Sequence, residues 1–326
     1  MELALGFLLV LDLILTTYFV ISLSKCYQIS NQFLFSTYFL KGRSVSRRRS
    51  DSTIKYNFLN RYIVRYIVFW SFLCNDLAIK VFSLLYFKNK IIFMKIDTEF
   101  LVYSDSKGRD PDSFSPTLKK YNQYLWSKKL PCGTIFELQT GKSETYLYHK
   151  SNLGEFFLSS DTITHTYSKW KRLSHIIEKV SSSEIKSFSD SCCTVSSHLI
   201  FPSNRDDGKM NINGARGTNS KINDRFDLTL ECIRRYYFRK ESPLQEVLLR
   251  YSDFFELFEN FKGYVDFFLL QDLVSDNYET INFYLPFDNF KRSSVPINLD
   301  EYLIYKNKVL NFVKARSTRI NQYQLK

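Results

Sequence analysis

The sequence lacks the cysteine and histidine patterns that build zinc sites and disulfide frameworks. It contains six cysteines and four histidines in 326 residues. No CxxC, no HExxH and no pair of histidines at helical spacing occurs among them. Cys192 and Cys193 are adjacent, which suits neither an ordinary disulfide nor a tetrahedral metal cage. A zinc hydrolase therefore has no support, and the pattern favours reduced thiols in a cytoplasmic body.

Proline is absent from the first 93 residues, and glycine and alanine each occur only twice there. The same segment carries 12 Lys/Arg and 4 Asp/Glu, whereas residues 94–326 carry 33 and 29. These shifts in composition predict a boundary close to Met94, with an extension over 1–93 and a domain over 94–326. Because the domain is only mildly basic, the net charge of +12 does not by itself indicate nucleic-acid binding.

The extension begins with a long apolar run. Residues 4–23 read ALGFLLVLDLILTTYFVISL, with one charge at Asp12, which is about the length that spans a membrane. Basic residues over 24–61 would keep the chain that follows on the cytoplasmic side, and three charges within 62–87 argue against a second span. The alternative is that 1–93 is AT-rich DNA translated upstream of a natural start at Met94. Both interpretations remain open at this point.

The first half of the domain predicts a helix and several short strands. Ser115 and Pro116 can cap and open a helix, and apolar residues then recur at helical spacing up to Trp126. Ile135–Leu138 and Tyr146–His149 form a candidate hairpin. The other predicted elements are a strand over Glu155–Leu158 that is broken by 159–161, and a buried strand over Ser197–Phe201.

The second half predicts mainly helices. The segment Asn204–Ser220 has the composition of a loop, and the aromatic residues around 254–268 have the helical spacing of a core rather than of a base-stacking surface. The predicted elements are a helix over about Ile222–Arg239, a helix from Ser242 to Phe258, a buried and preferably helical run over Tyr264–Val274, a strand over Ile281–Leu285, and a helix capped by Asn298 and ending near Ile320. Mixed helices with a small sheet, without regular βαβ alternation, predict an α+β fold.

Several long stretches resemble a bacterial family known only as a domain of unknown function. They are GKMNINGARG, DRFDLTLECIRRYY, SPL and FKGYVDFFLLQDLV, preceded by GRDPDSFSPTLKKYNQYLWSKKLP and GEFFLSSD. The resemblance covers about residues 94–320, in order. It implies that the family unit begins near Met94, and it implies no activity. The segment before Met94 departs from the family pattern.

The loop before the helix at Ile222 is a candidate anion site. Glycine-rich turns at helix N-termini present backbone N–H groups to anions, and an arginine can hold a phosphate or carboxylate with two bonds. The competing interpretation is a turn that needs glycine, with Arg216 paired to Asp206, Asp207 or Asp224. The candidate ligand-binding residues are Asn213, Gly214, Arg216, Gly217, Arg225 and Arg234.

Three carboxylates on the same predicted helix are a candidate metal site. Asp224, Asp227 and Glu231 are spaced so that one helix face gathers them, as Mg²⁺ binding requires. The simpler interpretation is a solvated charged face, in which Glu231 pairs with Arg235 four residues later. A further pairing of His198 with Cys192 or Cys193 lacks an orienting third group, so a structural histidine is favoured.

Two classes of function follow from these sites. The first is a binding or regulatory module for a phosphate-bearing ligand, an anionic small molecule or nucleic acid, at residues 211–235. The second is a metal-dependent phosphodiesterase or nuclease that uses Asp224, Asp227 and Glu231. A purely structural or protein-interaction role is a third. The membrane is an additional partner if residues 4–23 form a genuine anchor, and the sequence identifies no cofactor.

Overall fold

Ten α-helices and two small antiparallel sheets make up the part of the chain described by the computed structural model, which comprises residues 95–141, 146–204 and 208–324. The α+β class predicted from the sequence is confirmed. The helices are α1 Pro111–Phe114, α2 Pro116–Trp126, α3 Ser174–Ile177, α4 Ser182–Ser191, α5 Ile212–Thr218, α6 Phe226–Tyr237, α7 Gln245–Arg250, α8 Ser252–Glu256, α9 Phe261–Phe267 and α10 Leu299–Gln324. The strands are β1 Lys128–Lys129, β2 Ile135–Phe136, β3 Gln139–Thr140, β4 Leu147–Ser151, β5 Gly154–Thr162 and β6 His198–Pro202.

The predicted apolar span over 4–23 and the charged apolar run over 62–87 lie outside the described residues. Within the described ranges, no helix combines the length and the apolar character that a membrane crossing requires.

The larger sheet has four antiparallel strands in the order β3-β4-β5-β6. Strand β5 lies between two partners, with Tyr148 opposite Phe157 on one side and Ser160 opposite Ile200 on the other. The predicted break at 159–161 is wrong, because the polar residues there continue the ladder with β6 instead of ending it. Strand β5 therefore carries Ser160 and Asp161 on an ordered element.

The predicted hairpin is divided between the two sheets. Strand β2 pairs with β1, whereas Gln139 and Thr140 of β3 pair with β4. The chain leaves the first sheet at Leu138, whose N–H donates to the Ser127 hydroxyl over 3.0 Å. This N–H is thus bonded to a side chain, at the point where the chain passes from one sheet to the other.

Two helices begin at their predicted caps, whereas the helix predicted to begin at Ser242 begins at Gln245. The Ser115 hydroxyl accepts the Leu118 N–H over 3.0 Å at the start of α2. The Asn298 amide oxygen accepts the Glu301 N–H over 2.9 Å, which confirms the terminal helix. A side chain that satisfies one of the free N–H groups of the first turn stabilises the helix by about 1 kcal/mol.

The region 204–239 differs from its prediction in two ways. Its first part is not all loop, since α5 begins after Asn211, whose side chain accepts the Gly214 N–H over 2.9 Å. The next helix, α6, begins at Phe226 rather than at Ile222. Asn223 and Asp224 have φ values of 49° and 60°, a left-handed conformation that cannot continue an α-helix.

Two other elements depart from the pattern read in the sequence. The predicted helix ending at Phe258 is divided into α7 and α8. The buried run from Tyr264 is helical only to Phe267, because Leu269 has a φ of 56°. The predicted strand over Ile281–Leu285 is reduced to one bridge between Ile281 and Val274.

The core is aromatic, as the helical spacing predicted. Trp126 is 1% exposed, and its ring centroid lies 5.2 Å from that of Phe268. Phe258 is fully buried and lies 5.0 Å from Phe267. Trp170 is partly buried and packs against this core. The buried rings of Trp126, Phe258, Phe267 and Phe268 are therefore unavailable to stack on bases.

Helix α10 ties the end of the chain to its earlier parts. The Tyr305 hydroxyl donates to the His165 carbonyl over 2.7 Å. The fully buried Arg316 donates to the Ser196 carbonyl over 2.6 Å, and the Gln324 side chain accepts the N–H of Ile96 over 2.5 Å. The fold is thus held by contacts between residues that are far apart in sequence.

Candidate functional site

Four of the stretches that resemble the family meet in space at the end of β5. GRDPD contributes Asp112 in α1, LSSD contributes Ser160 and Asp161 in β5, NINGARG contributes Arg216 in α5, and DRFD contributes Asp224 in the turn before α6. Hydrogen bonds or electrostatic interactions connect these residues. We call the five residues Asp112, Ser160, Asp161, Arg216 and Asp224 the motif junction.

Arg216 lies at the buried side of the junction. Its side chain has no solvent exposure, and it lies between the rings of Phe201 and Phe226, at 5.2 and 5.7 Å from their centroids. It donates to the Asp161 carboxylate over 3.0 Å, to the Thr162 carbonyl and to the Thr229 hydroxyl. These bonds compensate the desolvation of the charge, so Arg216 is not open to a ligand in this conformation.

The competing interpretation, in which Arg216 pairs with an aspartate of the same chain, is therefore the arrangement found. The carboxylate that pairs with Arg216 is Asp161, a partner that the sequence did not predict. Asp224 bonds to the Arg216 residue by its backbone N–H, which donates to the Arg216 carbonyl over 3.1 Å. Asp206 and Asp207 lie outside the described residues.

Asp112 is a carboxyl group of the junction whose pKa lies well above that of an ordinary aspartate. Its oxygens accept the Ser160 N–H, over 2.7 Å, and the Ser160 hydroxyl. Burial is the largest cause that raises the pKa of Asp112, to about 7, and the nearby charges of Asp110 and Asp161 add to it against the lowering effect of the Ser160 bonds. This carboxyl group therefore exchanges its proton near neutral pH, unlike an ordinary aspartate.

Asp161 connects the buried arginine to solvent. Its side chain is 33% exposed, and its other oxygen accepts the Thr162 N–H over 2.9 Å. Burial raises the pKa of Asp161, the Arg216 guanidinium opposes that rise, and Asp224 adds to it. The two neighbouring carboxyl groups, Asp112 and Asp161, thus have different electrostatic surroundings, and only one of them has a cation beside it.

A strained turn positions Asp224. Its left-handed backbone is uncommon for a residue other than glycine, and the Tyr167 hydroxyl holds the turn by donating to the Asn223 carbonyl over 2.8 Å. The Asp224 carboxylate packs on Gly217, where a Cβ atom would lie 3.2 Å from its Oδ2. Gly217 therefore makes room for a side chain rather than for a positive φ.

His165 lies close enough to Asp224 and Arg216 for their charges to act on its ring. Its Nδ1 accepts the Tyr167 N–H over 2.9 Å, which places the proton of the neutral ring on Nε2. Burial lowers the pKa of His165, Asp224 opposes that change, and Arg216 adds to it. The ring is therefore a neutral hydrogen-bond donor at physiological pH.

Asn213 and Gly214 lie on the first turn of α5. The Asn213 side chain donates to the Ser159 hydroxyl over 3.1 Å. Its Oδ1 atom is buried and has no hydrogen-bond partner among the described residues. Gly214 uses its N–H in the Asn211 cap, so that group is already satisfied.

The remaining predicted arginines pair with acidic neighbours away from Asp161. Arg225 is 2% exposed and donates to both oxygens of Asp227, one of which also accepts the Tyr284 N–H over 2.9 Å. Arg234 donates to Glu231 over 2.7 Å. The predicted pairing of Glu231 with Arg235 is confirmed, also at 2.7 Å.

The three carboxylates proposed for a metal are not brought together. Asp227 and Glu231 are buried as partners of arginines, and Asp224 lies on the turn before the helix that carries the other two. Among the residues that the structure describes, no group of three histidine, cysteine, aspartate or glutamate side chains is placed to hold a metal ion.

The cysteine–histidine pair is also structural. The His198 ring contacts the Thr194 carbonyl at 3.0 Å, and burial raises the pKa of the Cys192 thiol to about 12. A thiol with that pKa carries almost no thiolate at neutral pH and is a poor nucleophile.

Sequence reasoning did not select Asp112, Asp161 or His165. Asp112 and Asp161 lie within GRDPD and LSSD, two of the stretches that carry the family resemblance. Considering every acidic residue within those stretches would have included both. His165 lies in none of the quoted stretches, and no sequence signal pointed to it.

Comparison with known proteins adds a family and no activity. The model of a family of unknown function, DUF6994, matches residues 96–320, which is more than half of the chain. No curated protein and no solved structure matches the chain.

Proposed function

The chain belongs to the DUF6994 family, whose function is unknown, and we propose that its motif junction binds a small molecule bearing hydroxyl or amino groups and exchanges a proton with it through Asp112. The observation that carries this proposal is the placement of two carboxyl groups: Asp112 accepts bonds only from Ser160 among the described residues, whereas the nearby Asp161 is paired with the Arg216 cation. Burial raises the pKa of Asp112 to about 7. Neighbouring carboxyl groups in unequal environments are a recurrent basis of acid–base chemistry.

The charge of the junction determines the class of ligand. Asp112, Asp161 and Asp224 supply three carboxyl groups, and the cation beside them, Arg216, has no exposed surface. The region therefore attracts hydrogen-bond donors and cations and repels phosphate. The unpartnered Asn213 Oδ1 is a further acceptor.

The phosphate-bearing ligand expected from the sequence is retained as the alternative in the test. Arg216 and Arg225, the donors expected to hold it, are 0% and 2% exposed. A phosphate at residues 211–235 would thus need either a rearrangement of these side chains or other contacts.

The test measures binding to the full-length chain by calorimetry. The probes are spermidine and glucosamine as amino compounds, cellobiose as a hydroxyl compound, and inorganic phosphate and ATP for the alternative. Each titration is run in two buffers with different ionisation enthalpies, because the difference in measured heat gives the number of protons exchanged on binding. We expect an amino or hydroxyl probe to bind with proton exchange near pH 7.

The variants Asp112→Asn and Asp161→Asn are compared with Asp110→Asn as the matched control. Asp110 caps α1 by accepting from Ser113, and asparagine caps a helix about as well as aspartate does. We expect Asp112→Asn to abolish the proton exchange, and Asp110→Asn to preserve both binding and exchange. Binding of phosphate or ATP alone, or proton exchange that survives in Asp112→Asn, would refute the proposal.

A further inference from the structure

A groove lined by residues outside the motif junction contains a lysine whose amine lies among aromatic rings. It has a volume of about 620 Å³ and lies where the end of α2 and β1 approach α9 and the last turns of α10. Its walls are mostly apolar, formed by Leu130, Pro131, Phe267, Leu269 and Tyr323. We call this space the lysine groove, since Lys128 lies in its wall.

Aromatic rings enclose the amine of Lys128. Its Nζ atom lies 4.7 Å from the ring centroid of Phe267, 4.8 Å from that of Tyr323 and 5.2 Å from that of Trp126. In the described ranges, no carboxylate lies within ion-pair distance of this atom and no hydrogen bond holds it. The amine is therefore positioned by packing and has no anionic partner.

The acidic residue of the groove is occupied elsewhere. Asp266 accepts from the Lys262 amine, from the Gln271 amide over 2.9 Å and from the Tyr278 hydroxyl over 2.7 Å. With these three donors on its two oxygens, Asp266 acts on Lys128 only at a distance.

The surrounding charges favour the neutral form of Lys128. Burial is the largest cause that lowers the pKa of Lys128, to about 7; Arg316 of α10 adds to it, and Asp266 of α9 opposes it. Lys129 of β1 and Lys262 of α9 also line the groove and are cationic. The neutral amine, which is the nucleophilic form, is therefore more populated at neutral pH than in a lysine with the ordinary pKa of about 10.4.

We propose that Lys128 captures a carbonyl compound, namely a small aldehyde or ketone with an apolar or aromatic body, as an imine. The Nζ lone pair adds to the carbonyl carbon, the carbonyl oxygen leaves as water with the two amine protons, and a C=N bond replaces the C=O bond. Hydrolysis reverses the step without an oxidant or reductant. A desolvated lysine beside another cation is the arrangement in which proteins use a lysine as a nucleophile.

The groove also favours the body of such a ligand. The rings that enclose Nζ offer faces for an aromatic or aliphatic group. Asn260 lies in the same wall; its side-chain oxygen caps α9 by accepting the Gly263 N–H over 2.9 Å, which leaves its amide N–H groups as the donors for a polar substituent. The groove shares no residue with the motif junction, so the two proposals are tested with different variants and stand or fail independently.

The test traps the imine in the full-length chain. Benzaldehyde is added with sodium cyanoborohydride, which reduces an imine to a stable amine, and labelled lysines are identified by peptide mass spectrometry over time. The adjacent Lys129 is exposed and serves as the control within the same molecule. We expect Lys128 to be labelled at least tenfold faster than Lys129 near pH 7.

Two variants and a pH series complete the test. Lys128→Arg keeps the positive charge and removes the nucleophile, so the fast labelling should disappear, whereas Lys129→Arg should leave it unchanged. In the unaltered chain, the labelling rate of Lys128 should level off above about pH 7 while other lysines continue to gain. Labelling of Lys128 at or below the rate of Lys129, or a pH profile like that of other lysines, would overturn the proposal.

Discussion

Removal of the buried Arg216 guanidinium is expected to destabilise the domain strongly. The side chain has no exposed surface and makes three hydrogen bonds, one of them to the Asp161 carboxylate at 3.0 Å. Replacement by alanine leaves the Thr162 carbonyl without this donor, removes the cation from Asp161 and creates a cavity between two phenylalanine rings. Breaking a buried ion pair from one side costs about 3–5 kcal/mol.

The exposure of Asp161 determines where the loss of stability falls within the range of about 3–5 kcal/mol. Because its side chain is 33% exposed, water can solvate the carboxylate that is left unpaired, which favours the lower half of the range. We expect a loss of about 3 kcal/mol, which for a domain of this size lowers the melting temperature by roughly 6–12 °C.

The measurement is calorimetric and urea unfolding of Arg216→Ala beside the unaltered chain. Arg172→Ala is the control, since Arg172 is exposed and also contacts a ring, that of Trp170, at 4.3 Å. That change should cost at most about 1 kcal/mol. A melting temperature of Arg216→Ala within about 2 °C of the unaltered chain would refute a structural role, and a concurrent loss of phosphate binding would restore Arg216 as a ligand residue.

Three further predictions concern titration, backbone packing and domain boundaries. Burial raises the pKa of Asp112 to about 7, so the protonated form of this group stabilises the fold. That contribution is complete below about pH 4 and is lost as the pH rises through 7. We therefore expect urea unfolding of the unaltered chain to show a decline in stability of up to about 4 kcal/mol between those values, and Asp112→Asn to remove it. Gly263→Ala should cost at least about 2 kcal/mol because its Cβ would lie 2.1 Å from the Phe258 carbonyl oxygen, which is backbone and cannot easily move. At Gly214 a Cβ would instead meet the Met210 side chain, 2.6 Å from its Cγ; that side chain is exposed and can turn away, so Gly214→Ala should lower the melting temperature less than Gly263→Ala does. A fragment that starts at Met94 should unfold cooperatively on heating, and a soluble fragment without a transition would show that residues 1–93 belong to the core.

The sequence predicted elements whose signals are local. Ser115 and Asn298 are N-cap residues, and the side-chain oxygen of each accepts the backbone N–H three residues later. The helical spacing of the aromatic residues around 254–268 also identified the core. Apolar residues that recur every three or four positions indicate a buried helix face, and this repeat can be recognised within a short stretch of sequence.

The sequence did not predict the features that depend on pairing between distant segments. Ser159, Ser160 and Asp161 have the composition of a strand end, yet β6 supplies partners for them some forty residues later. Arg216 is a plausible anion clamp until that pairing brings Asp161 to its Nη1 atom. For this reason the predicted and the observed sites differ in charge. The sequence predicted an arginine that binds an anionic ligand, whereas the structure shows carboxyl groups around an arginine that is already paired.

The start of α6 shows a different limit. The spacing of its apolar residues continues back to Ile222, but Asn223 and Asp224 adopt left-handed backbones that such spacing does not reveal. The Tyr167 hydroxyl, which holds that turn, lies 56 residues earlier in the chain.

The contacts of α10 bear on how the protein is made. Its residues bond to segments translated long before it, from Ile96 to Ser196, so these carbonyl and N–H groups lack their partners while the chain is still on the ribosome. Domains with many distant contacts fold slowly and leave apolar surface uncovered meanwhile. A chain truncated within α10 would therefore be an unfinished domain that proteases and chaperones recognise, rather than a slightly shortened one.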